Sequence, residues 1–230
     1  PKAKKSYGQH FLIQQKIVDR IVDLILDQKS ANILEVGPGK GALTEKLFNS
    51  PNNFLAIDAD PEMVEYLLVK FPNQKNKLIL ADFLRFNLNS LFNEESFLLC
   101  GNFPYNISSQ IIFKALEYCN RIPIIIGMFQ KEMAQRIIST PGSKDYGIIS
   151  AISSLLYTGK IEFDIGSGNF FPPPKVNSSL LKLHRNNLQL SMDEYLTVKK
   201  FIKLSFQFRR KTLRNNLKGV ISREFLEDKF

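Results

Sequence analysis

The sequence predicts a doubly wound α/β domain with a mainly parallel sheet and an antiparallel hairpin at one edge, followed by a small helical domain. Three observations carry that prediction. Short apolar runs alternate with segments of helical periodicity from residue 32 to residue 139. A glycine-rich turn, Gly37-Pro38-Gly39-Lys40-Gly41, follows the first of those runs directly. Strand signals stop after Arg185, where a basic stretch with helical spacing begins. The 230 residues, 44% of them hydrophobic, suffice for one large core and a small appendage, so the expected division is 1–185 and 186–230.

Taken in order, Ile17, Ile21, Leu24 and Ile25 share one face of a helix over residues 13–28. Asn32 to Val36 is a short apolar run ended by glycine, hence a buried strand. A helix from about Gly41 to Phe48, a strand over Asn53 to Ile57, and a helix from Pro61 to Phe71 follow, the last with proline in its first turn. Lys77 to Leu80 and Ser96 to Cys100 continue as strands, then a helix over Ser108 to Tyr118, a strand over Pro123 to Phe129, and a helix over residues 130–139. Beyond a helix starting near Tyr146, the runs Lys160 to Asp164 and Ser178 to His184 suit an antiparallel hairpin, joined through FFPPPK.

Charge is unevenly placed. Net charge is +9, and between Tyr195 and Arg223 nine Lys or Arg stand with no Asp or Glu, whereas the rest of the chain holds 22 basic and 22 acidic residues. A solvated helix face mixes signs; a one-sign segment is a footprint for a polyanion, with nucleic acid ahead of an acidic protein or a plain basic surface. The two cysteines, Cys100 and Cys119, and two distant histidines have no metal-ligand spacing and are read as inert thiols in a reducing compartment with no metal site. No apolar run nears the ~18 residues of a membrane span. The basic start PKAKKSYGQHFL has no apolar stretch after it, so a cytoplasmic protein without membrane contact is expected. Because the chain opens on Pro1 rather than methionine, its native ends are expected not to be fully represented.

The glycine turn lets backbone approach a ligand at the carboxyl edge of the sheet, although glycine also serves tight strand-to-helix turns for conformation alone. Asp58, 21 residues after Gly37 and at the end of the second predicted strand, is placed to accept both hydroxyls of a ribose. Asp60 is the alternative, but it precedes Pro61 as a helix cap. Asp82 follows the third strand and suits an adenine amino group, with Phe83 beside the ring. NAD, FAD and an adenosyl group all fit these features. After the fourth strand comes Asn102-Phe103-Pro104-Tyr105, a loop with an amide and a π-face where a simple reversal would use glycine and small polar residues. It is suited to holding something planar and polar.

EVGPGKG at 35–41, NFPY at 102–105, FFPPPKVNSS at 170–179 and FQFRRKTLRNNL at 206–217 together resemble the S-adenosylmethionine-dependent rRNA adenine N6-dimethyltransferases, within them the small-subunit (16S) enzymes of the kasugamycin-sensitivity group. The resemblance covers nearly the whole chain. It implies a Rossmann-like class I methyltransferase domain over 1–185, a basic helical RNA-recognition domain over 186–230, and dimethylation of two adjacent adenines in a 3'-terminal hairpin during ribosome biogenesis. The implied substrate is small-subunit rRNA within an immature 30S particle, and the implied state is a monomer. In that group a motif like Gly8-Gln9-His10-Phe11-Leu12 closes over the cofactor; His10 stands where Asn is common, contacting it by ring or backbone. The implied cofactor set is His10, Leu12, Gly37, Asp58, Asp82 and Asn102. The family also commonly extends beyond the position where this chain stops.

Macrolide-resistance enzymes share the cofactor motifs and the NFPY-like loop but modify large-subunit rRNA, and the segment RRKTLRNNL resembles the small-subunit group instead. A non-catalytic assembly factor on the same fold is the other alternative. For catalysis, the Asn102 amide oxygen and the Pro104 carbonyl are expected to accept the two N6 hydrogens and aim the lone pair at the methyl group, with proline fixing its carbonyl. Tyr105 is expected to stack on the extruded base and Phe170 to cover its other face, a role for which Phe171 competes. Lys175, Arg209, Arg210, Lys211 and Arg214 are the expected RNA contacts.

Overall fold

The structure is a computed structural model and describes residues 3–188, 190–208 and 210–222. Its strands and helices, in chain order, are β1 (Phe11–Leu12), α1 (Gln15–Leu26), β2 (Asn32–Val36), α2 (Thr44–Phe48), β3 (Asn53–Asp58), α3 (Pro61–Lys70), β4 (Leu78–Leu80), β5 (Leu98–Asn102), α4 (Ser108–Glu117), β6 (Ile124–Gln130), α5 (Lys131–Ile137), α6 (Ile148–Leu156), β7 (Tyr157–Ile165), β8 (Phe170–Phe171), β9 (Ser178–Arg185), α7 (Met192–Ser205) and α8 (Leu213–Leu217).

Seven strands form one sheet in the order β4-β3-β2-β5-β6-β9-β7. The first five run parallel, and β9 and β7 join antiparallel. Every residue of β2 is buried, as expected for a central strand covered on both faces. On one face α1 buries Val18, Ile21, Val22 and Ile25 into a cluster with Ile33, Leu47 and Phe54. The other face carries the larger cluster, including Leu34, Leu99, Ile112 of α4 and Ile152 of α6. Asp60 caps α3, its carboxylate accepting the Glu62 N–H at 3.1 Å, ahead of Pro61.

The edge hairpin forms, but its second strand lies inside: β9 pairs with β6 through Ile126↔Lys182 and leaves β7 at the margin. Two boundaries differ from the sequence expectation for tertiary reasons. β5 begins and ends two residues late because the Ser96 carbonyl is held by the Asn32 side chain at 2.9 Å, and pairing with β2 starts at Ile33↔Leu98. Asn102 is therefore the last residue of a strand, not the first of a loop. β7 begins at Tyr157, immediately after α6, because it pairs with Arg185 there.

After β9, a Ser191/Glu194 capping box starts α7. Tyr195 is buried within the larger core cluster, and Lys199 pairs with Glu117 of α4. Thr212 caps α8. The buried Asn216 ties α8 to the preceding turn: its side-chain oxygen accepts from Phe208 N at 2.9 Å and its amide donates to the Phe208 carbonyl at 3.1 Å.

Candidate active site

The chain leaves β2 for β3 and β4 on one side and returns to β5 and β6 on the other. A doubly wound sheet binds ligands at such a switch point, outside the carboxyl ends of its strands. Here Val36 ends β2 and Asn102 ends β5, and a cleft of about 890 Å³, counting its open mouth, lies over them. His10, Leu12, Gly37, Asp58, Asn102 and Pro104 line it together with Glu35, Phe83, Ile107 and Met128.

The floor is the glycine turn. Gly37 has φ +70°, a left-handed conformation that disfavours any residue with a Cβ, and Pro104 lies 3.5 Å from where that Cβ would be. At the tip of β3, Asp58 accepts the Asp60 N–H at 2.9 Å. Burial raises its pKa to about 6, against the lowering effect of backbone hydrogen bonds from Asp60, Gly39 and Ala59. Behind it Glu35 is buried and accepts from Thr44 Oγ1 at 2.7 Å. Burial raises Glu35 to about 8, partly opposed by Thr44, and the Asp58 charge adds to the rise. At neutral pH Glu35 therefore holds its proton and Asp58 supplies the negative charge.

The roof is the N-terminal segment. Lys4 Nζ and Gln9 Nε2 reach the Asp60 carboxylate at 2.9 and 3.0 Å. β1 pairs antiparallel with β8, setting Phe11 opposite Phe171 and Leu12 opposite Phe170. Asn102 Nδ2 donates to the His10 carbonyl at 2.6 Å. That bond fixes which way the amide faces, and Asn102 Oδ1 is left buried without a hydrogen-bond partner. A buried, unpaired acceptor costs about 1–3 kcal/mol unless something donates to it, so the site is built around a donor it does not itself contain.

The remaining expected residues fall in different places. Phe103 is buried beneath the loop, edge-on to Phe129 at 5.2 Å, while Tyr105 is partly buried with its hydroxyl bonded to Ser178 Oγ. Phe170 is 2% exposed and packs in the apolar cluster that holds Leu12; Phe171, its neighbour, is 61% exposed. Asp82 stands outside the cleft lining, 44% exposed, with Oδ1 accepting the Leu84 N–H at 2.9 Å and Oδ2 3.6 Å from Arg85. Phe83 beside it does line the cleft. Lys175, Arg210, Lys211 and Arg214 are exposed, and Arg209 lies outside the described residues. Gln9, Glu35, Thr44 and Ser178 were not singled out from sequence; each acts through a partner distant in the chain or through burial, for which sequence spacing has no signature.

A nucleoside fits these residues: a carboxylate for ribose hydroxyls, an apolar slot between Ile57, Phe83 and Ile107, and a glycine turn that admits the rest. Beside that slot lies the unpaired Asn102 oxygen, an acceptor without a donor. The fold, with its cleft over the glycine turn at the switch point, is that of a Rossmann-like S-adenosylmethionine-dependent methyltransferase of class I. Over residues 1–229 the sequence matches the family model described as ribosomal RNA adenine dimethylase. The chain belongs to the ribosomal RNA adenine dimethylase family.

Among proteins similar to it, "Ribosomal RNA small subunit methyltransferase A" of Flavobacterium johnsoniae is 44% identical over 99% of this chain and 87% of its own length. The protein of the same name from Parabacteroides distasonis is 44% identical over 97% of this chain and 84% of its own. Among solved structures, a dimethyladenosine transferase from Plasmodium falciparum superposes with a TM-score of 0.75 at 27% identity, covering 91% of this chain and 75% of that one. The 23S rRNA methyltransferase ErmE shares the fold, with a TM-score of 0.68 at 24% identity over 95% of this chain and 87% of its own. Among the described residues no helix is long and apolar enough to cross a membrane.

Proposed function

We propose that this chain dimethylates N6 of two adjacent adenines in a 3'-terminal hairpin of small-subunit rRNA. It acts as a cytoplasmic monomer on an immature 30S particle during ribosome biogenesis. The observation that carries the reading is the buried, unpaired Asn102 Oδ1 beside the nucleoside slot. The relatives' printed name supports the small subunit over the large one.

The cofactor supplies an electrophilic sulfonium methyl group. Asp58 accepts the ribose hydroxyls, Gly37 admits the cofactor close to backbone, and His10 and Leu12 cover it from above. Asp82 accepts the adenine amino group from the rim, giving up its contact with Arg85, while Phe83 lies along the ring. On the substrate side, Asn102 Oδ1 and the Pro104 carbonyl each accept one N6 hydrogen. That holds the nitrogen pyramidal, with its lone pair directed into the cleft. No strong base is needed beforehand, since the N6 proton becomes acidic once the nitrogen is alkylated. Positioning and exclusion of water supply most of the acceleration. Tyr105 stacks on the extruded base; Phe170 closes the far side only if its enclosed ring is uncovered, and Phe171 is the exposed alternative.

Incubating purified immature 30S particles with labelled cofactor and mapping the modified bases tests the assignment. The expected product is two adjacent N6,N6-dimethyladenines near the 3' end of the small-subunit rRNA. Label confined to the large-subunit rRNA, or tight particle binding with no transfer, overturns it.

Two further outcomes follow from the assigned roles. If Asp58 must be ionised to accept the ribose, cofactor affinity falls as pH drops through about 6, because the protonated carboxyl loses half its acceptor capacity. Calorimetry should show binding about tenfold weaker at pH 5 than at pH 7.5, and Asp58→Asn should bind weakly with no such pH dependence. The residues 186–230 form the RNA-recognition unit, and its cations supply phosphate affinity. Replacing Arg209, Arg210 and Lys211 with Gln should weaken RNA binding and leave cofactor affinity intact. It should also flatten the log–log salt dependence by roughly 0.7–0.9 for each phosphate that is no longer neutralised. An unchanged salt slope in a filter-binding series would remove them from the interface.

A further inference from the structure

The His10 imidazole lies stacked on the Tyr105 ring, with centroids 5.2 Å apart and planes 25° from parallel. Both rings are pinned. His10 Nδ1 is 2.8 Å from the Pro172 carbonyl, which can only accept, so that nitrogen carries the proton. The His10 carbonyl accepts from Asn102, and the Tyr105 hydroxyl is bonded to Ser178. A third ring between the two would need a separation of about 7 Å, twice the ~3.5 Å contact distance of carbon atoms. The gap as it stands is too narrow for that.

We propose that His10 is a gate on the base platform: its ring occupies the base-stacking face of Tyr105 in the absence of RNA, and the target base must displace it. This rests on the reading of Tyr105 as the platform for the base. The gate sets a threshold. A nucleobase gains the Tyr105 face only by stacking better than the imidazole that it replaces and by compensating the broken bond to Pro172. The cost of displacing the imidazole is the same whichever base arrives, so the gate weakens docking of every base by one factor and leaves the choice among bases to Tyr105 and Asn102. The device is local, since His10 shares a short segment with Leu12, which β1–β8 pairing holds in place. Rotation of one side chain clears the face without unseating the segment.

The test reads base docking, not methyl transfer. A small-subunit rRNA hairpin with 2-aminopurine at a target position is titrated with the full chain under saturating S-adenosylhomocysteine, and the fluorescence of the probe reports stacking. Saturation is checked for each variant, because His10 also lies on the cofactor side. His10→Asn keeps an N–H for the Pro172 carbonyl but has no ring. The expected results are docking about three- to tenfold tighter in His10→Asn, docking at least about tenfold weaker in Tyr105→Ala, and no effect of His10→Asn in the Tyr105→Ala background. The same hairpin with pyrrolo-cytosine as the probe should gain from His10→Asn by about the same factor, because the ring displaced is the same. Weaker docking in His10→Asn would make the ring a wall of the pocket, and unchanged docking would make it a bystander; either overturns the gate. Unchanged docking in Tyr105→Ala would instead remove the platform on which the gate was built.

Discussion

Asn102→Ala is expected to lower the rate of methyl transfer by at least about 100-fold, equivalent to ~2.7 kcal/mol of transition-state stabilisation, while the protein stays folded. The size follows from the local design. The wild-type oxygen is buried without a partner before substrate arrives, so its orientation is already set, and alanine removes the acceptor outright. The expected split is informative, because the same side chain holds the His10 carbonyl through Nδ2. Cofactor affinity should fall only a fewfold, through loosening of the roof, whereas single-turnover transfer should collapse. Asn102→Asp preserves the shape and supplies two acceptors, but it loses the donor to His10 and adds a second negative charge to the cleft that holds Asp58. Both variants lack the donor to His10, so any further loss of cofactor affinity in Asn102→Asp reads the added charge facing the His10 carbonyl. Near-normal transfer by Asn102→Ala would refute the amine alignment.

Gly127→Ala is expected to destabilise the protein by about 2–4 kcal/mol and to cripple the site, though Gly127 touches neither cofactor nor substrate. A Cβ at this position of β6 would lie 2.2 Å from Phe103 Cε2 and 2.6 Å from Cδ2. Phe103 is fully buried against β6, edge-on to Phe129. Relief requires lifting Phe103, and it cannot be lifted without moving Asn102 and Pro104 on either side of it. Thermal melts should show the loss in stability, and transfer should remain impaired well below the melting temperature. A variant that melts lower yet transfers normally would show that the loop is not seated through Phe103. Phe103→Leu in the Gly127→Ala background makes room for the methyl group and should recover part of both losses.

The alternation of elements was readable because β2 is a glycine-bounded apolar run and α1 has a clear apolar face, both local patterns. The unit of pairing was not. β1 and β8 are two residues each, too short for any periodicity, and they exist only because the fold brings side by side two segments far apart in the chain. The same limit explains Asn102. Its residue type and neighbours suggested an amine acceptor, but its place at the end of β5, and the choice of which amide atom faces the cleft, are set by Ile33↔Leu98 pairing and by the His10 carbonyl. For the aromatics the sequence left Phe170 and Phe171 in competition. The structure encloses the first and exposes the second, a division that follows from strand alternation once β8 is known. Asp82 follows a strand end as Asp58 does, but it lies exposed at the rim where Asp58 is sunk in the cleft; strand position was visible, and depth was not.

The placement of β9 between β6 and β7 bears on how the chain is made. On a ribosome, β6 is complete well before its partner β9 has been synthesised, and its sequence, IIIGMFQ, is an apolar strand with no charge to guard an open edge. β7 emerges earlier than β9 but belongs one place further out, so it cannot close the sheet in its stead. Until Ser178 to Arg185 is available, the nascent chain therefore carries an unshielded, adhesive border. The chain thus depends, during its own synthesis, on the arrival of one late strand.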